Sequence, residues 1–233
     1  MGTADARERR REHLSSRPRL PLLDPLLPGV HAFDGSQGEH LLLVPTGLPD
    51  APVPLVVFFH GSGADPVRSL PVLEAEAQRL QFLLLVPKSF HYTWDVILGG
   101  FGPDVTALDT LLRRIFEHFP VDPDRVALAG FSDGASYALT LGLLNGSLFP
   151  RILAYSPGFV VPGQPDGSPR IFVSHGTADP VLPIDRCSRR IVPELRSLGY
   201  EVDYREFDGG HEVPRNLLTA SLSFLGASEP AAD

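Results

Sequence analysis

The sequence predicts an α/β fold in which helices cover both faces of a mostly parallel central sheet. Three observations support this class: strand-like and helix-like segments alternate, the strand-like segments are apolar at consecutive positions, and the joints are short. Consecutive apolar positions are typical of parallel strands that are buried on both faces. Because each parallel crossover is right-handed and covers one face, the alternation indicates a layered domain.

The elements follow from the periodicity of apolar residues. The predicted strands are 40–44, 55–59, 82–86, 125–129, 152–155, 171–174 and 202–207. The predicted helices are 71–80, 105–119, 132–144, 184–198 and 214–225, where apolar positions recur at the helical period.

Residues 1–28 differ in composition from the rest of the chain. They contain many arginines and the stretch RPRLPLLDPLLPG, whose prolines oppose both a regular helix and steady sheet pairing. We therefore expect an extended N-terminal arm over residues 1–28 and a single domain over residues 29–233. The segment 87–103 has no clear period and is predicted to be a loop over the sheet edge.

Composition limits the classes of function. Of the 233 residues, 43% are hydrophobic, which suffices for a sizeable core. Acidic residues number 28 against 20 Lys and Arg, and the formal net charge of -8 disfavours a nucleic-acid binder. The single cysteine, Cys187, excludes an internal disulfide framework and a Cys-rich metal site. No apolar stretch resembles a secretory signal or a membrane span, so we expect a soluble, cytoplasmic protein without membrane insertion.

A candidate nucleophile lies at a predicted strand-to-helix turn. The segment GFSDG at 130–134 follows one strand and opens the next helix, which places Ser132 in the turn. Glycines allow the two backbones to approach closely and leave the serine hydroxyl exposed above the sheet. The alternative is an ordinary glycine-rich turn in which Ser132 caps the helix.

Two downstream side chains complete a candidate catalytic set. Asp179 follows the strand 171–174 and His211 follows the strand 202–207. Because the carboxyl ends of parallel strands meet at one edge of a sheet, both are expected near Ser132. Asp208, on the same loop as His211, is the alternative acid.

These residue types suit acyl transfer. Ser132 would attack an acyl carbon, His211 would take its proton and later protonate the leaving group, and Asp179 would hold the imidazole. The developing oxyanion needs N–H donors. The turn HGSG at 60–63 offers the N–H of Ser62, and the N–H of Asp133 is the expected second donor.

The chain resembles the α/β-hydrolase superfamily over about residues 39–225. The resemblance rests on HGSGAD at 60–65, GFSDGA at 130–135, HGTADPVLP at 175–183 and GGHEVP at 210–215. Within the superfamily it is similar to the phospholipase/carboxylesterase group, which includes the acyl-protein thioesterases and the dienelactone-hydrolase-like esterases. The resemblance implies an α/β-hydrolase fold, the catalytic set Ser132, Asp179 and His211, and oxyanion donors at Ser62 and Asp133. Dienelactone hydrolases use a cysteine nucleophile, so the serine at 132 disfavours that particular activity.

Two further features of the sequence predict the surroundings of the candidate site. No insertion is long enough to form a large cap domain, which predicts an open or loop-lined site. Aromatic residues cluster in the segment 87–103. They either line an acyl or alcohol pocket or cover the sheet edge, and we single out Trp94 as the predicted substrate contact.

Taken together, the residues predict a serine hydrolase that cleaves carboxylic esters of small or medium acyl chains. Its partner would be a small-molecule ester, and it would need neither a metal nor an organic cofactor. A thioesterase or a lysophospholipase is the alternative among enzymes. Outside enzymes, the alternative is a hydrolase-like ligand-binding protein or receptor with little turnover. Monomer and homodimer both stay open.

Overall fold

The computed structural model of the protein describes residues 12–161 and 163–226. Residues 1–11 of the predicted arm lie outside the described residues. The same holds for residue 162 and residues 227–233 of the predicted domain.

One sheet runs through the described part of the chain. Its eight strands are β1 (Gly29–Gly35), β2 (Gly38–Val44), β3 (Val53–Phe59), β4 (Leu83–Val86), β5 (Val121–Phe131), β6 (Arg151–Tyr155), β7 (Arg170–Gly176) and β8 (Val202–Phe207). The spatial order is β1-β2-β4-β3-β5-β6-β7-β8. The strands from β4 to β8 pair in parallel, and β2 pairs antiparallel with both of its neighbours. The predicted mostly parallel sheet is confirmed.

Helices cover both faces of this sheet. Within the described ranges the α-helices are α1 (Pro66–Ser69), α2 (Pro71–Leu80), α3 (Pro103–His118), α4 (Asp133–Leu144), α5 (Ser188–Ser197) and α6 (Arg215–Leu222). Short 3-10 helices span Asp95–Leu98, Ile184–Arg186 and Ser223–Leu225. Apolar side chains of α3, α4 and α5 share one core cluster, and those of α2 and α6 share the other. The architecture is the predicted two-faced α/β layer, and no large cap interrupts the described ranges.

The central strand β3 shows why the sheet has two cores. All seven of its residues are buried. Side chains of a strand point alternately to opposite faces, so Leu55, Val57 and Phe59 join the core beneath α3 and α4. Val56 and Phe58 join the core beneath α2 and α6.

Strand β1 was not predicted. Its sequence, GVHAFDG, mixes polar and apolar residues, and only Phe33 among its seven residues is buried. It pairs with β2 through a short turn after Gly35. A half-exposed edge strand buries too little apolar surface to produce a continuous apolar run, which explains why the pattern was missed.

The predicted helix 184–198 is interrupted. A 3-10 turn over Ile184–Arg186 is followed by α5, and Cys187 between them has φ -116° and ψ -106°, outside the helical region. The apolar period runs through both pieces, so it does not reveal the break. The prediction of one continuous helix was wrong at this point.

Residues 12–28 lie along helix α3. The backbone N–H and hydroxyl of Ser15 donate to the carboxylate of Asp109. The N–H groups of Leu22 and Leu23 donate to the carbonyl of Glu117 at 2.9 Å. In the part of the chain that the structure describes, no helix is both long and apolar enough to cross a membrane.

Helix α4 approaches the end of β3 closely at Gly134. A β-carbon placed on Gly134 would overlap the backbone carbonyl groups of Phe59 and His60 at the end of β3. The absence of a side chain at Gly134 therefore sets the distance between α4 and β3.

Replacing Gly134 by alanine tests this constraint. We expect Gly134→Ala to lower the free energy of unfolding by about 3 kcal/mol, because α4 must move away from β3 to admit the methyl group. Urea unfolding followed by circular dichroism measures the change. Gly100→Ala is the matched control, since nothing lies within 4 Å of its added β-carbon. Equal losses in the two variants would show that the close approach does not limit stability.

Candidate active site

Ser132 occupies a strained turn between β5 and α4. Its φ is 59° and its ψ is -122°, a left-handed backbone that a residue with a side chain rarely adopts. Such a conformation costs about 1 to 3 kcal/mol and persists only when the surroundings enforce it. Here the Ser132 N–H donates to the carbonyl of Tyr155 at 2.9 Å, and the Ser132 carbonyl accepts from Ala135 and Ser136. The structure therefore fixes the direction of the Ser132 side chain.

The loops after β7 and β8 bring the other two predicted residues to this turn. The N–H of Thr177 donates to the carbonyl of Phe207 at 2.8 Å, and that of Ala178 donates to Gly209 at 3.0 Å. A β-carbon on Gly176 would overlap the backbone of Gly209 and Gly210. The two loops are thus held together backbone to backbone, one bearing Asp179 and the other His211.

A chain of hydrogen bonds joins the three side chains. The Ser132 hydroxyl lies 2.8 Å from Nε2 of His211, and Nδ1 of His211 lies 2.6 Å from Oδ2 of Asp179. The ring of Phe131 packs against the imidazole of His211, with 4.6 Å between ring centroids. The side chain of Asp179 is fully buried, whereas that of His211 is 14% exposed. This arrangement allows Ser132 to give its proton to His211, because the hydroxyl and the ring nitrogen are within hydrogen-bond distance.

The Asp179 carboxylate is held in its ionised form. Burial by itself raises the pKa of Asp179, but hydrogen bonds from the N–H groups of Leu182 and Val181 and from His211 more than offset burial. The net result is a pKa below the ordinary value for aspartate. A carboxylate in this state can hold the Nδ1–H tautomer of His211 and stabilise its positive charge.

The turn after β3 lies beside Ser132. A β-carbon on Gly61 would sit 3.5 Å from Cβ of Ser132. The carbonyl of Gly61 accepts from Nδ1 of His60 at 2.8 Å and from the N–H of Ala64 at 3.1 Å. Because the carbonyl and N–H of one planar trans peptide point in opposite directions, these bonds also fix the direction of the Ser62 N–H. This N–H meets no acceptor within residues 12–161 and 163–226.

The second predicted oxyanion donor belongs to the first turn of α4. Backbone N–H groups at this position have no partner within the helix itself, and the N–H of Asp133 is one of them. The Asp133 side chain accepts a hydrogen bond from the hydroxyl of Thr93 at 2.7 Å. Thr93 was not singled out from the sequence, since a lone threonine in an irregular segment carries no signal.

A cavity of about 730 Å³ opens beside Ser132 and His211. It lies between the turn after β3, helix α2 and the start of α6. Its apolar lining includes Phe58, Val72, Phe131, Val181, Val213 and Leu218. Arg68, Arg215, Glu76 and Glu212 also contribute to its walls. The cavity offers mainly apolar surface next to the serine hydroxyl.

The structure places Trp94, the predicted substrate contact, in the core. Its side chain is 1% exposed, and its ring stacks on Tyr137 and meets Phe59 edge-on, each at 4.9 Å between centroids. Its Nε1–H donates to the carbonyl of His60 at 2.9 Å. Trp94 packs in the core and supports the turn after β3, and it is not among the residues that line the cavity. The sequence of the aromatic cluster does not show which of its side chains enter the core and which could line a pocket.

Two buried aspartates tie the segment 87–103 together. Asp104 accepts from the N–H groups of Phe90 and Asp95, and Asp95 accepts from those of Gly102 and Asp104. Burial raises the pKa of Asp104 to about 6. Both carboxylates serve this loop and lie outside the lining of the cavity at Ser132. Within the described residues, no cluster of His, Cys, Asp or Glu is arranged to hold a metal ion.

The fold and this arrangement define an α/β-hydrolase. Residues 100–228 match the sequence profile of the phospholipase/carboxylesterase family, and the match covers more than half of the chain. The chain therefore belongs to the phospholipase/carboxylesterase family.

Curated relatives carry names from two hydrolase groups. Feruloyl esterase C of Emericella nidulans is 26% identical over 170 residues, which cover 69% of this chain and 61% of the relative. Acyl-protein thioesterase 1 of Gibberella zeae is 31% identical over 118 residues, covering 46% of this chain and 50% of the relative. The chain thus spans between half and about three fifths of the length of these relatives.

Solved structures share the fold. The ferulic acid esterase of Anaeromyces mucronatus has a TM-score of 0.65 at 15% identity, covering 91% of this chain and 94% of the other. An S-formylglutathione hydrolase from Agrobacterium tumefaciens has a TM-score of 0.61 at 16% identity, covering 84% and 91%. At these identities the likeness concerns the fold.

The place of Trp94 leads to a test. We expect Trp94→Ala to destabilise the protein by about 3 to 5 kcal/mol, the usual loss for a buried tryptophan. The relative rates on p-nitrophenyl acetate, butyrate and octanoate should stay as in the unmodified protein. Val181→Ala is the contrasting variant, because Val181 is exposed and lines the cavity. It should change the relative rates and leave the unfolding midpoint unchanged. A changed chain-length preference in Trp94→Ala alone would make Trp94 a substrate contact after all.

Proposed function

We propose that this protein is a serine hydrolase that cleaves carboxylic esters of small or medium acyl chains through an acyl-enzyme intermediate. The observation that carries the proposal is the hydrogen-bonded chain from Ser132 through His211 to Asp179, which opens onto an apolar cavity. A serine on a strained strand-to-helix turn and a buried carboxylate behind the histidine suit this chemistry.

The mechanism follows from the direction of each hydrogen bond. Ser132 Oγ attacks the acyl carbon while His211 Nε2 takes the hydroxyl proton, and the carbonyl oxygen becomes an oxyanion. When the tetrahedral intermediate collapses, the bond to the alcohol breaks and His211 gives its proton to the alkoxy oxygen. The acyl group is then bonded to Ser132. Water, deprotonated by His211, attacks this ester, and release of the carboxylic acid returns the proton to Ser132.

The oxyanion would be stabilised by the N–H groups of Ser62 and Asp133. The peptide between Gly61 and Ser62 is held by His60, and the other donor starts α4. Burial lowers the pKa of His60, which favours a neutral ring. A neutral ring can donate from Nδ1 to Gly61 and accept at Nε2 from the N–H of Ser89. Fixed N–H dipoles need no reorganisation when charge develops, and this lowers the barrier.

The cavity and the relatives support the ester class. The apolar lining, from Phe58 to Leu218, suits an alkyl or aryl acyl group, and about 730 Å³ is within the usual range for a small-molecule site. The names of the relatives, a feruloyl esterase and an acyl-protein thioesterase, fit hydrolysis of an oxygen ester or a thioester. A small acyl ester is the simplest substrate compatible with both.

Turnover and covalent labelling test the proposal together. Initial rates are measured on p-nitrophenyl esters of increasing acyl length and on matched thioesters. The protein is also treated with a fluorophosphonate and digested to find the labelled residue by mass. We expect turnover by the unmodified protein, a label on Ser132, and losses of about 10⁴-fold or more in Ser132→Ala and His211→Ala. The series with the higher kcat/KM, oxygen esters or thioesters, would identify the preferred class of substrate.

Absence of turnover would contradict the proposal. If the folded protein hydrolyses none of these substrates and Ser132 stays unlabelled, a hydrolase-like ligand-binding protein or receptor becomes the better description. Turnover that survives Ser132→Ala would place the chemistry at another residue.

The identity of the acid has its own test. Asp179→Asn should lower kcat by about 10⁴-fold, because an amide cannot hold the imidazole in the tautomer that accepts the serine proton. Asp208→Asn is the control: Asp208 is exposed and belongs to the same loop as His211. It should retain activity close to that of the unmodified protein. The opposite pattern in steady-state kinetics would make Asp208 the acid.

A further inference from the structure

A second histidine lies against the carboxylate of Asp179. Nε2 of His175 is 3.2 Å from Oδ2 of Asp179, the same oxygen that contacts His211. The side chains of His175 and Asp179 are both fully buried. The triad mechanism described above uses one histidine, so the contact with His175 needs a separate explanation.

The surroundings of His175 determine which nitrogen carries its proton. Nε2 also lies 2.8 Å from the carbonyl of Leu182, and Nδ1 lies 2.7 Å from the hydroxyl of Ser188. Both neighbours of Nε2 are acceptors, so Nε2 carries the hydrogen. Nδ1 then accepts from the hydroxyl of Ser188. Burial lowers the pKa of His175, and the opposing effects of the Leu182 carbonyl and Asp179 are smaller, so the ring is neutral.

The contacts of Asp179 are then complete on both oxygens. Oδ1 accepts from the N–H groups of Val181 and Leu182, each at 2.8 Å. Oδ2 accepts from Nδ1 of His211 and lies 3.2 Å from Nε2 of His175, whose N–H also donates to the carbonyl of Leu182. Without His175, only His211 would contact Oδ2, and the two N–H bonds to Oδ1 would be the remaining restraint on the carboxylate. With His175 in place, Oδ2 stays directed at Nδ1 of His211.

The two histidines differ in their access to the cavity and in whether they can carry a charge. His211 reaches Ser132 and the cavity, where it can take and return a proton. His175 is sealed in the core, and the nearby Glu206 on β8 is paired with Arg189. A second cation beside Asp179 would compete with the imidazolium of His211 for the same carboxylate. A neutral donor steadies that carboxylate without reducing its negative charge.

We propose that His175 is a positioning residue, whose Nε2–H, shared between the carbonyl of Leu182 and Oδ2 of Asp179, holds this carboxylate in the orientation that His211 requires. This inference rests on the proposed serine-hydrolase function and adds to it a fourth side chain that never touches substrate. It predicts a specific dependence of kcat on the donor at the position of Nε2.

Two variants of His175 distinguish the loss of the Nε2 donor from the loss of side-chain packing. His175→Asn keeps a polar atom near the position of Nδ1, facing Ser188, and has no donor at Nε2. His175→Gln is longer, and its amide nitrogen reaches the region of Nε2. We expect kcat to fall about 10- to 100-fold in His175→Asn with KM within about twofold of its original value, as expected when a reacting group is misplaced. His175→Gln should recover most of kcat.

The rates are divided by the concentration of sites that a fluorophosphonate labels, so that unfolded protein does not count. A purely structural role would lower the unfolding midpoint of both variants and leave the normalised kcat unchanged. An unchanged kcat in His175→Asn, or a glutamine variant no better than asparagine, would overturn the inference. Absence of turnover in the unmodified protein is a different result, because it contradicts the proposed function itself.

A measurement on the unmodified protein covers the case in which the variants do not fold. Heteronuclear NMR of isotope-labelled histidine rings reports which nitrogen carries hydrogen. We expect His175 to show a hydrogen on Nε2 only, and to remain neutral over the pH range in which activity is lost on the acid side. A ring with hydrogen on Nδ1, or one that becomes charged together with His211, would refute the positioning role.

Discussion

The site depends on how closely the first turn of α4 approaches the end of β3. The backbone contact at Gly134 leaves no space for a side chain, and it brings the turn containing Ser132 against the turn containing Gly61 and Ser62. One close approach therefore aligns the serine hydroxyl with both backbone N–H groups proposed for the oxyanion. The strained backbone of Ser132 is its local consequence, and the hydrogen bonds to Tyr155 and within α4 hold that backbone in place.

Behind this contact lies a second layer, made by the segment 87–103. Trp94 holds the carbonyl of His60, Thr93 holds the side chain of Asp133, and Ser89 donates to the ring of His60. These bonds reach Asp133, one of the proposed oxyanion donors, and His60, two positions before the other. The buried carboxylates of Asp95 and Asp104 in turn fix the backbone of the segment. The segment 87–103 thus supports the turn after β3, and much of its backbone is bonded to side chains instead of to a sheet.

Much of this could be predicted from sequence because the relevant patterns are local. Consecutive apolar residues identify buried strands such as β3, and loops that follow parallel strands must meet at one edge, which brought Ser132, Asp179 and His211 together. The failures have a different origin. Strand β1 is half exposed and has no continuous apolar run, and the period of α5 passes unbroken through the kink at Cys187. The packing of Trp94 and the contact of His175 with Asp179 depend on tertiary contacts between distant segments, and a sequence pattern does not carry that information.

The residues of the candidate site lie far apart along the chain, so the site forms only when the strands that bear them are paired. Ser132 and His211 are 79 positions apart, and His211 follows β8, the last strand and an outer edge of the sheet. An edge strand is paired on one side only, so it is among the first parts to open in local fluctuations. Opening of β8 separates the imidazole from Ser132 while the central strands remain paired. The hydrogen bond between Ser132 and His211 can therefore form only when β8 is paired with β7.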